Sequence, residues 1–240
     1  MKSLTLTMVL TALITLSSCW DDIRCTNADG FIETRTIQLD AIEGIDLSIN
    51  ANVFISEGTT QEITVEGKSD AIEKLKMDVR NGIWTIEFDQ CVINHDLTIN
   101  ITLPKLTYAK ISGSGDIFGE TPFDSSNDLV EFKISGSGYI NLEMNAADIE
   151  TSISGSGDIR LAGEATNHTL KVSGSGNLSG YDLEAVNQII TISGSGNTEI
   201  FVDGGTLEAK ISGSGKVYYK GNPSSFSADV TGSGSVIDAN

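Results

Sequence analysis

Two aspartates, Asp116 and Asp158, each follow a copy of the same string, Ser112-Gly113-Ser114-Gly115 and Ser154-Gly155-Ser156-Gly157. Carboxylate pairs carry out glycoside hydrolysis when held about 5–10 Å apart. If each string marks one turn of a stacked array, these two stand two turns apart, about 9–10 Å at the strand spacing, with Tyr139 at the equivalent position between them. The spacing permits a pair and supplies nothing further. His95 and His168 are distant in sequence and neither sits in a nucleophile pattern, so both are expected as surface or strand histidines. Calcium rolls need an Asp in every nine-residue turn, whereas here the residue after the string is Asp only twice. Neither catalysis nor a cofactor or metal is expected.

The elements that place these residues belong to an acidic chain. Its 240 residues hold 15 Lys and Arg against 33 Asp and Glu, a net charge of −18. Nucleic-acid binding is excluded, because neutralising phosphate needs clustered bases. An apolar content of 39%, with 25 glycines besides, is enough for a folded core.

Met1-Lys2-Ser3 opens the chain with one base, Leu4 to Leu16 is apolar apart from threonines, and Ser17-Ser18-Cys19 follows. The run is short for a membrane span and ends on small residues, so residues 1–18 read as a cleaved lipoprotein signal and Cys19 as the lipidated residue. Cleavage removes Lys2 and no acid, leaving 14 bases and 33 acids, a net −19. Acyl chains on Cys19 would anchor the protein to the cell envelope at the outer membrane, with the surface and periplasmic faces both open. Residues 19–35 form the anchored linker. Cys25 and Cys91 remain, in a compartment where they can pair as a disulfide or stay free.

The string recurs at Ser135–Gly138, Ser173–Gly176, Ser193–Gly196 and Ser212–Gly215, then as Thr231-Gly232-Ser233-Gly234; the spacings are 23, 19, 19, 20, 19 and 19. Such a repeat is the mark of a solenoid. Period-two alternation through the string sends Ile111, Ile134, Ile153, Val172, Ile192, Ile211 and Val230 inward before it. After it, Ile117, Ile140, Ile159, Leu178, Thr198, Val217 and Val236 also point inward, Thr198 alone interrupting the apolar column. The glycines share the inward phase, either because the strand bends there or because the interior is too thin for a side chain. Outward columns follow: Ser114, Ser137, Ser156, Ser175, Ser195 and Ser214 in one, and Asp116, Tyr139, Asp158, Asn177, Asn197 and Lys216 in the next, with Tyr218 beyond. The fold is all-β, a right-handed parallel β-helix with coils of about 19 residues over 105–240, since hexapeptide repeats of the left-handed form are absent.

Residues 36–104 lack the string but alternate as strands, and are expected to be an irregular β-rich region capping the solenoid. Asn81-Gly82 marks a hairpin with a type I′ turn. Ser69–Leu75 suits one helical turn with Ser69 as its cap. At the other end, Val236–Asn240 provides almost no cap, which makes the C-terminal coil a candidate site of homo-oligomerisation.

The lipobox, the Val79-Arg80-Asn81-Gly82-Ile83-Trp84-Thr85-Ile86 hairpin, Leu103-Pro104-Lys105-Leu106 and the repeated Ile-Ser-Gly-Ser-Gly together resemble the bacterial family described as putative auto-transporter adhesin, head GIN domain. The likeness runs from about Ile37 to the C-terminus. It implies a β-helical, envelope-associated protein with an adhesive role, and carries over no catalytic residues.

The chain therefore reads as a non-catalytic, membrane-anchored lipoprotein. Its candidate ligand face is the pair of outward columns with Tyr218, offered to a glycan or a surface protein. The plainer account of those columns is a solvated face in which serine is chosen because it is small and stacks well. A polysaccharide-active β-helix enzyme and a purely structural envelope protein are the alternatives.

Overall fold

The computed structural model describes residues 25–240, so the signal and Cys19 lie outside the described residues. Each coil has two faces. One is the strand before the glycine string, the other the strand after it, and both stack in parallel, in-register ladders, as in Ile153↔Val172 and Ile140↔Ile159. In several coils the chain stays extended through both faces, as in Tyr139–Gly155 and Asp158–Gly174. Ile140, Leu142, Met144 and Ala146 point inward on the second face, and after one corner Ile149, Thr151 and Ile153 point inward on the first. Nearly every inward position is closed to solvent, each large apolar side chain contributing about 1.5–3 kcal/mol of burial.

The two glycines of the string have separate jobs. The second is buried, and a Cβ on Gly157 would lie 2.6 Å from both the Gly138 carbonyl oxygen and the Ile134 Cγ2, so the interior at that corner has no room. From the third copy on, the first turns the chain: Gly155 has φ of 133°, in the region that disfavours side chains.

The parallel stack begins before the first string. Gly44–Leu47 and Asn52–Glu57 pair in parallel with Tyr108–Ile111 and Asp116–Gly119, always at an offset of 64 residues. On their other side they pair in parallel with Ile83–Ile86 and Thr98–Leu103. The coil made by residues 44–57 is therefore wedged between two coils that follow it in sequence. Ser48-Ile49-Asn50-Ala51 occupies the corner that the string fills elsewhere, with Ser112 donating its backbone N–H to the Leu47 carbonyl.

Antiparallel strands then end the stack. Glu62–Lys68 pairs antiparallel with Thr98–Leu103, and Ile32–Ile37 with Glu62–Lys68. The hairpin of Val79–Arg80 with Ile83–Ile86 turns through Asn81 and Gly82, whose positive φ values of 52° and 73° are those a type I′ turn requires. The helix spans Ser69–Glu73, with Lys68 rather than Ser69 at the N-cap and no side chain capping it. Asp70 instead accepts the backbone N–H groups of Asp29 and Gly30, at 2.9 and 3.0 Å, and so ties the entering chain to the cap. Cys25 and Cys91 form a disulfide beside the short parallel pair Thr26–Asn27 and Val92–Ile93.

Candidate functional site

The six serines Ser114, Ser137, Ser156, Ser175, Ser195 and Ser214 form a row of exposed hydroxyls along the glycine corner. Their backbones are committed to stacking, as where Ser156 and Ser175 donate N–H to the first glycine of the coil before, Gly136 and Gly155. The neighbouring column works partly the same way. Asp116 Oδ1 accepts the Tyr139 N–H at 3.0 Å, Asp158 Oδ1 accepts the N–H and side-chain amide of Asn177, and Asn177 Oδ1 accepts the Asn197 N–H at 2.9 Å. These side chains bridge coils at a corner where the regular ladder lapses.

Five of the thirteen ligand-face residues come together around one shallow groove of about 530 Å³: Tyr139, Asp158, Asn177, Asn197 and Tyr218. Ile159, Leu178 and Ser179 also line it, and Glu199 contributes a carboxylate that the sequence reading did not single out. Asp116 and Lys216 belong to the same column outside the groove. Ser179 shares its column with Arg160 and Glu199, so a small residue among long ones makes the depression.

The register slips beside this groove. One residue is added between Arg160↔Ser179 and Ala162↔Asp182, and the pairing shifts again between Gly180 and Glu184. A bulge of this kind re-aims side chains. Tyr181 lies in the slipped stretch, with Lys220 Nζ 4.3 Å from its ring centre. Burial and nearby Glu199 and Tyr218 raise its phenol pKa.

A second groove, of about 550 Å³, runs along the opposite corner over Ala146, Ala165 and Ala185. Its walls carry Glu164, Glu184 and Asp203 and no base, and Phe201 is its one aromatic. It offers a ligand far fewer donors than acceptors.

Neither histidine takes part in either groove. His168 lies in the core, where its ring joins three coils: Nδ1 is 2.7 Å from Gln188 Oε1 and Nε2 is 3.0 Å from Thr151 Oγ1. Gln188 uses its amide nitrogen on the Phe201 carbonyl at 3.0 Å, so its oxygen faces the ring and His168 carries its proton on Nδ1. Burial holds the His168 pKa down at about 4, against the partial opposition of the Gln188 bond. His95 packs edge-on against Phe88, and burial lowers its pKa as well. Among the described residues no three His, Cys, Asp or Glu side chains gather as a metal would need, and no helix is long and apolar enough to cross a membrane.

A capped β-solenoid that carries polar ladders and an aromatic-flanked groove on its outer face is the class of protein these features define. The chain belongs to the family described as putative auto-transporter adhesin, head GIN domain, whose profile matches residues 41–223. That match takes in the wedged coil as well as the first six of the seven glycine strings. Among solved structures, a putative adhesin from Bacteroides fragilis NCTC 9343 is similar at 22% identity and a TM-score of 0.82, covering 88% of this chain and 98% of that one. A putative lipid binding protein from Parabacteroides distasonis ATCC 8503 has 20% identity and a TM-score of 0.73, over 90% and 100%. A putative adhesin from Parabacteroides merdae ATCC 43184 has 21% identity and a TM-score of 0.70, over 89% and 99%. These likenesses concern the fold. Among curated proteins none matches the chain.

Proposed function

We propose that this protein is a non-catalytic, lipid-anchored adhesin of the cell envelope whose outer groove takes a neutral, hydroxyl-rich glycan. The observation that carries the reading is the groove itself, with Tyr139 and Tyr218 at its border and acceptors from Asp158, Asn177, Asn197 and Glu199 between them. Aromatic faces stack on the apolar side of sugar rings while carboxylates and amides meet hydroxyls. A body of net charge −19 after cleavage of the signal repels sialylated or sulfated chains, which favours neutral ones. Family membership supports the adhesive role, and Cys19 is the proposed point of lipid attachment. Asp116 and Asp158 each accept a backbone N–H, which suits positioning better than acid–base work.

The test is binding of the full chain to an array of neutral and acidic glycans, with Tyr139→Ala and Tyr218→Ala alongside. Either substitution should weaken binding to a neutral glycan by about tenfold, a loss of about 1.4 kcal/mol, with little change in melting temperature. Unchanged binding, or equal loss of binding and thermal stability, would make the tyrosines packing residues and remove the groove from consideration. Protease shaving of intact cells tests the location separately, since degradation requires the solenoid to be outside the cell.

A further inference from the structure

The two ends of the solenoid differ. Antiparallel strands and the hairpin close the leading end, as described above. At the other end Ser225–Gly232 pairs with Thr206–Gly213 and Ser235–Asp238 with Lys216–Lys220, and among the described residues neither has a partner on its outer edge. The core is open there too. Phe226, Ala228 and Val230 continue the inward columns of Leu207, Ala209 and Ile211. Those three are at most 1% exposed, whereas Phe226 is 50% and Val230 39% exposed.

Charge is nearly absent from this end. Residues 221–240 hold Asp229 and Asp238 and no base, in a chain with 33 acids. Strand edges are ordinarily kept apart by lysine, by an inward charge, by proline or by a bulge. None of these occurs between Phe226 and Val230.

We propose that this edge pairs with the same edge of a second copy of the chain, antiparallel, about a two-fold axis at Ala228. The spacing of the strand is self-complementary in that register. Phe226 then faces Val230 of the partner subunit, an aromatic and β-branched pair, and Ala228 faces its own copy, so the two open cores close on each other. Asp229 falls opposite Ser227 of the partner subunit, which can donate to it. Centring the axis on Asp229 would instead oppose two carboxylates. A two-fold pairing uses the same edge of both copies and leaves none over, so the assembly stops at a dimer. The proposal is independent of the glycan reading.

The test uses the full chain in detergent, with its mass followed by light scattering against concentration. A monomer–dimer equilibrium is expected that tightens as salt rises, because each body carries −18. Val230→Lys should weaken it by about tenfold or more. Ala228→Cys should cross-link into a dimer on mild oxidation, since residues opposed in an antiparallel pair have Cα atoms about 4.5–5.5 Å apart, within disulfide reach. Ser173→Cys, exposed at the first serine of a middle string, should not. A monomer at every concentration would overturn the proposal, as would a dimer that Val230→Lys leaves intact or that cross-links equally through Ser173→Cys. The cysteine variants also cover the case in which Val230→Lys merely frays the last coil.

Discussion

Two polar side chains inside the core behave in opposite ways. Thr198 is fully buried and its hydroxyl has no hydrogen-bond partner, so it bears a desolvation cost with no return. Thr198→Val keeps the shape and should stabilise the protein by about 1 kcal/mol in urea unfolding; a loss would show that the hydroxyl is bonded after all. His168 is bonded at both nitrogens and stays neutral. Its folded-state pKa of about 4 lies below the unfolded value of 6.5, so between those values the folded chain binds fewer protons. Its share of stability is complete above about pH 6.5, falls as pH drops, and levels off below about 4. That share is about 3 kcal/mol. Unfolding measured against pH should therefore show a wild-type advantage over His168→Gln that shrinks across this window, and a constant advantage would count against it. Thr198 was visible in the sequence as the break in an apolar column. His168 could have been found by stepping the alternation back from Val172 through Leu170, which also leads to Thr151 from Ile153 and to Gln188 from Ile192. Which of the three would touch depended on coil register, and no single strand contains that.

Among the elements, the corner string was the most legible feature and the irregular spacing the least used. Its regularity fixed the coil and both inward columns. The single spacing of 20 among the 19s corresponds to the added residue near Gly180, and the groove lies beside it. The first spacing of 23 arises from two small insertions, one between Phe118 and Phe123 and one between Ser125 and Leu129. The wedged coil was illegible because Ile49 and Ala51 replace the glycines, and only the constant offset of 64 reveals it. Tolerance of substitution should follow the same geometry. Gly157→Ala drives a Cβ into the Gly138 carbonyl and should cost about 3 kcal/mol or more by the overpacking it forces. Gly204→Ala, at φ of 72° with nothing within 4 Å, should cost only about 1–2 kcal/mol in the same unfolding assay. Equal losses would show that the corner relaxes.

On the scale of the whole molecule, stability should run from one end to the other, since each coil leans only on its neighbours. Reducing the Cys25–Cys91 bond, which spans 66 residues, removes about 4 kcal/mol in the chain-entropy treatment of the unfolded state. Hydrogen exchange should then rise first around Thr26–Asn27 and Val92–Ile93, with the glycine corners unchanged; an even rise along the chain would mean that the solenoid unfolds as one unit.

The same bond sets a path for mechanical load. Pulled from the N-terminal side, tension reaches Cys25, crosses the sulfurs to Cys91 and passes on toward the groove without running through residues 26–90. The wedged coil lies wholly within that bypassed stretch, so its backbone carries no covalent tension and it is loaded only through the ladders it shares with the coils on either side.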